Sequence, residues 1–300
     1  MQIKGVTIED TFAEAFPMWA SRLVITADTS RLALQAAQWG AGLATSIIGC
    51  GCEVGVGAAI DAAQTPDGRP GYELLVFSYS PEKLEEVLFQ RVGQAILPSA
   101  TSACFNGITG EKSAKIGGKL RYFGDGFQSS KLLDGRRFWR IPVSDGEFVV
   151  EESFGLAQGV GGGNLILIGK QRSLVLAAAE AAAEAICQTP GAIAPFPGGV
   201  CRSPSKIGSR YKNVRASTND VFCPTLRSRT ATQLLPEAEA VYELVIDGLT
   251  QESVSQAMGA GILAACREGM LVISAGNYGG KLGPYQFHLH KILAEMGACA

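Results

Sequence analysis

Two glutamates stand inside apolar, strand-like runs: Glu73 in YELLVF (72–77) and Glu243 in YELVID (242–247). A carboxylate is costly to bury without a partner. Burial disfavours the charged form, so a Glu in such a pocket is expected to titrate above its ordinary value of about 4.3. A carboxyl that stays protonated near neutrality can serve as a general acid. The plainer reading of either residue is a side chain turned to water or paired with an Arg. The other chemistry-bearing residues form no recognised constellation. His288 and His290, in FHLHK, are the only histidines, and they lack a third ligand at a matching spacing. The eight cysteines (Cys50, Cys52, Cys104, Cys187, Cys201, Cys223, Cys266 and Cys299) contain no C-x-x-C and read as reduced core thiols. The Gly-rich run GLAQGVGGGN (155–164) precedes a strand instead of following one, and no GK[ST] comes after it. A phosphate cradle needs strand, loop and helix N-terminus in that order. No G-x-S-x-G elbow occurs. No metal site is expected.

The elements that must hold the two glutamates repeat. SRLVITADTSRLALQAAQ (21–38) and GNLILIGKQRSLVLAAAE (163–180) each pass from an apolar run through a polar turn into an Ala/Leu-rich helix. Segments 72–97 and 242–267 form a second pair, each a strand followed by a helix. Ser80 and Thr250 are predicted N-caps, with Pro81 at the favoured first helical position. The apolar stripe falls in the same phase in both helices, with Leu84, Leu88 and Val92 matching Val254, Met258 and Ile262. Between the pairs, 41–57 and 191–209 each offer a strand and a Gly-rich loop. Each half therefore reads strand–helix–strand–strand–helix–strand, the split βαβ plan. The predicted fold is α+β: two tandem ferredoxin-like lobes from an internal duplication, over 1–150 and 151–300. Residues 111–155 show no repeat. KLRYFGDGFQ, RRFWRIPV and GEFVVEESFG read as short strands of a β insertion, over 111–150, joining the halves. RSRTATQLLPEAE (227–239) reads as the most mobile loop.

Composition sets limits. Of 300 residues, 47% are hydrophobic and 18% charged, enough to bury a core in each lobe. A formal net charge of −2 gives no basic footprint for nucleic acid or an anionic membrane. The N-terminal stretch, broken by Lys4, Glu9, Asp10 and Glu14, does not read as a signal peptide, and no apolar run suits a membrane span. The expected location is the cytoplasm. Short polar Gly-rich stretches at 122–128, 195–209, 215–225 and 274–283 would let a ligand approach the backbone.

TFAEAF (11–16), TPDGRPG (65–71), FGDGFQ (123–128), APFPGG (194–199), ASTNDVFCPT (216–225), VYELVIDGL (241–249) and SAGNYGGKLGPYQFHLH (274–290) resemble the formylmethanofuran:tetrahydromethanopterin formyltransferases over almost the whole chain. The resemblance implies two associated α/β lobes. It implies transfer of a formyl group between the amine of a furan-bearing carrier and N5 of a reduced pterin carrier. Both carriers are then substrates, and no bound cofactor is implied. A Glu of the C-terminal lobe is implied as the acid, matched by Glu243, while Glu73 keeps the structural reading. Substrate contacts are expected from Ser203, Lys206, Ser217, Thr218, Asn219 and Asn277, with Phe123 and Asp125 from FGDGFQ. The altered 227–239 loop and the mild surface charge resemble members from methylotrophic bacteria. That resemblance implies a place in formaldehyde oxidation to formate, homo-oligomers, and hydrolase subunits related to formylmethanofuran dehydrogenase as partners. The alternatives are a non-catalytic scaffold subunit of such a complex and a ferredoxin-like RNA- or nucleotide-binding module. The second lacks the basic/aromatic strand motif it would need.

Overall fold

The computed structural model describes residues 1–298, so the expectation for Cys299 lies outside it. Each half builds a four-stranded antiparallel sheet with two helices on one face. In the first half, Phe12–Thr26 lies between Gly71–Ser78 and Ala103–Asn106, and Glu53–Ile60 flanks Gly71–Ser78. In the second half, Phe154–Gly169 lies between Ala240–Gly248 and Met270–Ser274, with the short Ala192–Ile193 outside. The strand order is the same in both halves, as the split βαβ reading requires. Helices Ser30–Ala41 and Pro81–Arg91 cover the first sheet, and Arg172–Cys187 and Gln251–Ala265 the second. Ser80 and Thr250 accept the N–H groups of Lys83 and Ser253, and Thr250 completes a capping box with Ser253. Both predicted stripes are fully buried.

The lobes share one sheet. The two long strands pair with each other through Ala20↔Ala157 to Phe16↔Gly161, before each enters its own lobe. The glycine-rich run is therefore strand, and its glycines allow close approach. A Cβ on Gly161 would fall 2.0 Å from Met18 Sδ. One on Gly155 would fall 2.2 Å from the Ile108 carbonyl oxygen.

Several expectations need correction. KLRYFGDGFQ is not a strand: Ile116–Leu120 is helical and Arg121–Gly124 a tight turn, closed by Asp125 in the left-handed region. Nor is all of 111–155 unique. Lys112–Ala114 pairs with Phe154–Leu156 as Tyr285–His288 pairs with Phe12–Ala15, and each is followed by a short helix, Ile116–Leu120 or Leu289–Glu295. Gly146–Glu151 pairs in parallel with Ala103–Asn106 as Val6–Ile8 pairs in parallel with Met270–Ser274, and each has an antiparallel neighbour, Arg136–Val143 or the short Gln2–Ile3. Among the described residues, Ser129–Leu133 extends the first sheet without a counterpart. In the second lobe the strand expected at 191–209 is cut short, because Pro195 and Pro197 cannot donate to a ladder. It resumes only as a bridge between Cys201 and Glu243. The 227–239 stretch is irregular, but Leu234 and Ala238 are buried against Ile166, Ile168 and Val272. His288 and His290 do not share a strand face: His288 ends a strand and His290 lies in a helix, its Nε2 2.8 Å from the Ile8 carbonyl oxygen. The described cysteines are all free; Cys52, Cys104, Cys201 and Cys266 are buried, while Cys50, Cys187 and Cys223 are half-buried.

Candidate active site

Glu243 and Glu73 occupy equivalent positions, opposite Ile166 and Val24 on the two long strands. Alternation along a strand turns Leu244 and Ile246 to the helices and Glu243 to the other face. Loops and the 202–239 segment cover that face in the second lobe.

One residue separates the fates of the two carboxyls. Two positions before Val24 stands Arg22, which forms an ion pair with Glu73. Two positions before Ile166 stands Asn164. Its Nδ2 donates to Glu243 Oε1 at 2.7 Å, while its Oδ1 accepts the Gly276 N–H at 2.7 Å. The amide orientation follows from these two bonds. Glu243 is buried, 9% exposed, and faces a neutral partner. Burial raises its pKa, the Asn164 bond opposes the rise, and the charge of Glu53 adds to it. Glu243 is therefore held toward its acid form, whereas Glu73 has a cation beside it.

The surroundings of Glu243 are built from distant segments. Its backbone exchanges both hydrogen bonds with Cys201, at 2.8 and 3.0 Å. Burial, and then the neighbouring Glu243, push the Cys201 thiol up, so it is no ready thiolate. Tyr278 is raised by burial and by the charges of Glu243 and Glu14. The loop carrying Tyr278 is folded around Glu14, whose carboxylate accepts the N–H groups of Tyr278, Gly280 and Leu282. Burial would raise the Glu14 carboxyl, but these backbone bonds outweigh it and hold it below the ordinary range.

The expected substrate contacts fall into four places. Ser203 follows Cys201, its Oγ 4.0 Å from Cys201 Sγ. Lys206, Ser217 and Thr218 lie on a hairpin, Ser205–Ile207 with Ala216–Thr218, and line a cavity of about 470 Å³ with Tyr211 and Arg229. Lys206 pairs with Asp220, Ser217 donates to Gly208, and the Asn219 N–H donates to the Pro204 carbonyl. Asn277 lies in the Tyr278 loop, where its amide bonds Thr11 Oγ1 and accepts the Gly279 N–H. Phe123 and Asp125 are elsewhere. Phe123 lies with Leu97, Pro98 and Pro142 on the first lobe, and Asp125 shapes the turn beside it. Within one chain they are not brought to Glu243.

Sequence reasoning missed Asn164 and Tyr278 as neighbours of Glu243 and Glu14 as the anchor of the Tyr278 loop, and it missed Glu53 and Asp247. Asn164 was the detectable one: it is the lone amide at the head of the apolar LILI run, in register with Arg22. Among the described residues no group of three or more ligating side chains could hold a metal ion.

Fold and site together define a duplicated α+β protein whose distinctive group is a buried carboxyl beside a neutral amide. Residues 1–143 match the family model for formylmethanofuran-tetrahydromethanopterin formyltransferase, and 146–292 match the model for its proximal lobe. The formylmethanofuran–tetrahydromethanopterin formyltransferase of Methylococcus capsulatus is 53% identical, over 98% of this chain and 100% of its own. A polypeptide of the formyltransferase/hydrolase complex of Methylorubrum extorquens is 46% identical, over 99% of this chain and 98% of its own. The solved Methanosarcina barkeri formyltransferase superposes with a TM-score of 0.95 at 45% identity, over 97% of this chain and 100% of that one. A chain of the M. extorquens complex FhcABCD, solved with methylofuran, gives 0.94 at 46% identity, over 98% of each. The chain belongs to the formylmethanofuran:tetrahydromethanopterin formyltransferase family.

Proposed function

We propose that this chain transfers a formyl group between the amine of a methanofuran-type carrier and N5 of tetrahydromethanopterin, with Glu243 as the acid. The observation that carries the assignment is the buried Glu243 carboxyl, held by the neutral Asn164 where its twin Glu73 has an Arg. In the direction toward the pterin, N5 attacks the formamide carbon and the carbonyl oxygen gains charge. The tetrahedral intermediate collapses as the carrier nitrogen departs and takes a proton. A neutral carboxyl can hydrogen-bond the developing oxyanion or give the departing nitrogen its proton. Asn164 then stabilises the Glu243 carboxylate that remains until it takes up the proton that N5 loses on forming its amide. The hairpin bearing Lys206, Ser217 and Thr218, with Ser203 and the Tyr278 loop, supplies polar groups for the carriers.

The M. extorquens relative is named as part of a formyltransferase/hydrolase complex. By analogy this chain works beside hydrolase subunits in formaldehyde oxidation to formate. No helix among the described residues is long and apolar enough to cross a membrane, in keeping with a cytoplasmic enzyme.

The test is formyl exchange between the two carriers by purified Glu243→Gln protein. General acid catalysis contributes roughly 10²–10⁴-fold, so kcat should fall by at least about a hundredfold. Turnover within threefold of the parent removes Glu243 as the acid.

A further inference from the structure

Two carboxyls with no part in that mechanism meet where the lobes join. Glu53 opens the strand Glu53–Ile60 of the first lobe and is 5% exposed; Asp247, near the end of Ala240–Gly248 in the second, is 0% exposed. One oxygen of each is tied to backbone. Glu53 Oε1 accepts the Ile47 N–H at 2.8 Å, and Asp247 Oδ1 accepts the Gly162 N–H at 3.0 Å, at the bulge of the long strand. The remaining oxygens, Glu53 Oε2 and Asp247 Oδ2, are buried and receive no N–H or hydroxyl donor from any other described residue. Each carboxyl acts directly on the other and can be hydrogen-bonded by it once one of them carries a proton.

Two ionised carboxylates have only acceptors, so this contact needs a proton. Two like charges so close in a buried site do not both ionise. The charged and titratable neighbours supply no direct counter-ion. Glu243 lies on the same strand as Asp247. Tyr79, from the end of the Gly71–Ser78 strand, donates its hydroxyl to the Ile47 carbonyl at 2.9 Å. Arg215, on the hairpin of the second lobe, acts on Tyr79 and not on the pair. The rest of this junction is apolar: Met18, Ala20, Ile47, Leu75, Phe77 and Ile193.

We propose that Glu53 and Asp247 share one proton across the lobe boundary and act as a positioning pair for formyl transfer at Glu243. The inference rests on the role given to Glu243 above. The shared proton ties the two lobes beside the active strand and leaves the pair with a single negative charge. Glu243 and Asp247 are four residues apart on one strand, about 13 Å at ~3.3 Å per residue. A negative charge on the pair, felt at Glu243 from the Glu53 side, raises the ionisation of Glu243. The pair thus helps to keep the acid protonated.

The test has a spectroscopic and a kinetic arm. The spectroscopic arm measures the infrared carbonyl stretch of protonated carboxyl groups at pH 8 in the full chain. The pair's band should vanish in Glu53→Gln and in Asp247→Asn, and persist in Glu243→Gln. Each single amide can donate to the carboxylate left opposite, so the tie and the single charge survive without the proton. The kinetic arm is the pH profile of formyl transfer. The single variants should keep the alkaline limb of kcat in place. The double variant Glu53→Gln/Asp247→Asn, which removes the charge, should shift that limb to lower pH. Identical protonated-carboxyl spectra in parent and single variants overturn the shared proton. An unmoved limb in a folded double variant overturns the positioning role. If the double variant does not fold, the single-variant spectra still decide the first point. Full activity of Glu243→Gln would sink the assignment of the acid while leaving the spectroscopic result intact.

Discussion

Replacing Asn164 by Leu probes how Glu243 differs from Glu73. The substitution removes the donor to Glu243 and the acceptor of the Gly276 N–H, in a site that is 6% exposed. In the resting enzyme the lost bond is one between neutral groups, worth about 0.5–1.5 kcal/mol. When Glu243 gives up its proton the same bond holds a carboxylate, worth about 1.5–3 kcal/mol. The difference, roughly 1–1.5 kcal/mol, belongs to the transition state and corresponds to a loss of about tenfold in kcat with KM little changed. The unsatisfied Gly276 N–H should cost stability by about 1–3 kcal/mol. The pH profile gives an independent sign. The Asn164 bond holds the Glu243 pKa down against burial, so its removal raises that pKa. The acid form then persists to higher pH, and the alkaline limb of kcat should move upward even as kcat falls. Steady-state kinetics across pH, with thermal unfolding as a control for folding, reads all of this. A tenfold rise in KM at unchanged kcat, or a limb that moves downward, refutes the reasoning.

Glu73→Gln should keep formyl transfer within threefold of the parent and lower stability by about 1–2 kcal/mol. It loses only the part-exposed pair with Arg22, and chemical denaturation with a turnover assay checks both statements. Gly155→Ala places a Cβ 2.2 Å from a carbonyl oxygen of neighbouring backbone, which cannot rotate away. Overpacking of this kind costs about 1–3 kcal/mol, so calorimetry should show Tm lowered by several degrees.

The fold was legible because the repeat set it out twice. YELLVF and YELVID, with their caps at Ser80 and Thr250, carry period and punctuation strong enough to fix strand, turn and helix. What escaped was decided by pairing at long range. Lys112–Ala114 and Tyr285–His288 share structure without sharing sequence, because their strand identity comes from the open ends of the two long strands. KLRYFGDGFQ offered aromatic residues at strand-like density, but Gly124 and Gly126 around Asp125 favour a tight turn. At the site, Glu243 was recognisable from its apolar context. Asn164, Glu14 and Tyr278 were not, since Asn164 lies 79 residues from Glu243 and Glu14 lies 264 from Tyr278, and only the fold brings them together. Asp247 was invisible for another reason: a carboxyl at a strand end looks like an ordinary solvated charge until Glu53 is placed against it.

The crossed long strands carry a consequence for ancestry. Ala20 pairs with Ala157 and Phe16 with Gly161, so the pairing is centred where each strand meets its own repeat. A half-length ancestor that self-associated would make the same contact with its own copy, in the same register, around a true twofold axis. Such a homodimer would carry two identical sites and could not alter one without the other. Joining the halves in one polypeptide lifted that constraint. One strand could then place an arginine beside its glutamate, while the other placed an amide beside its own.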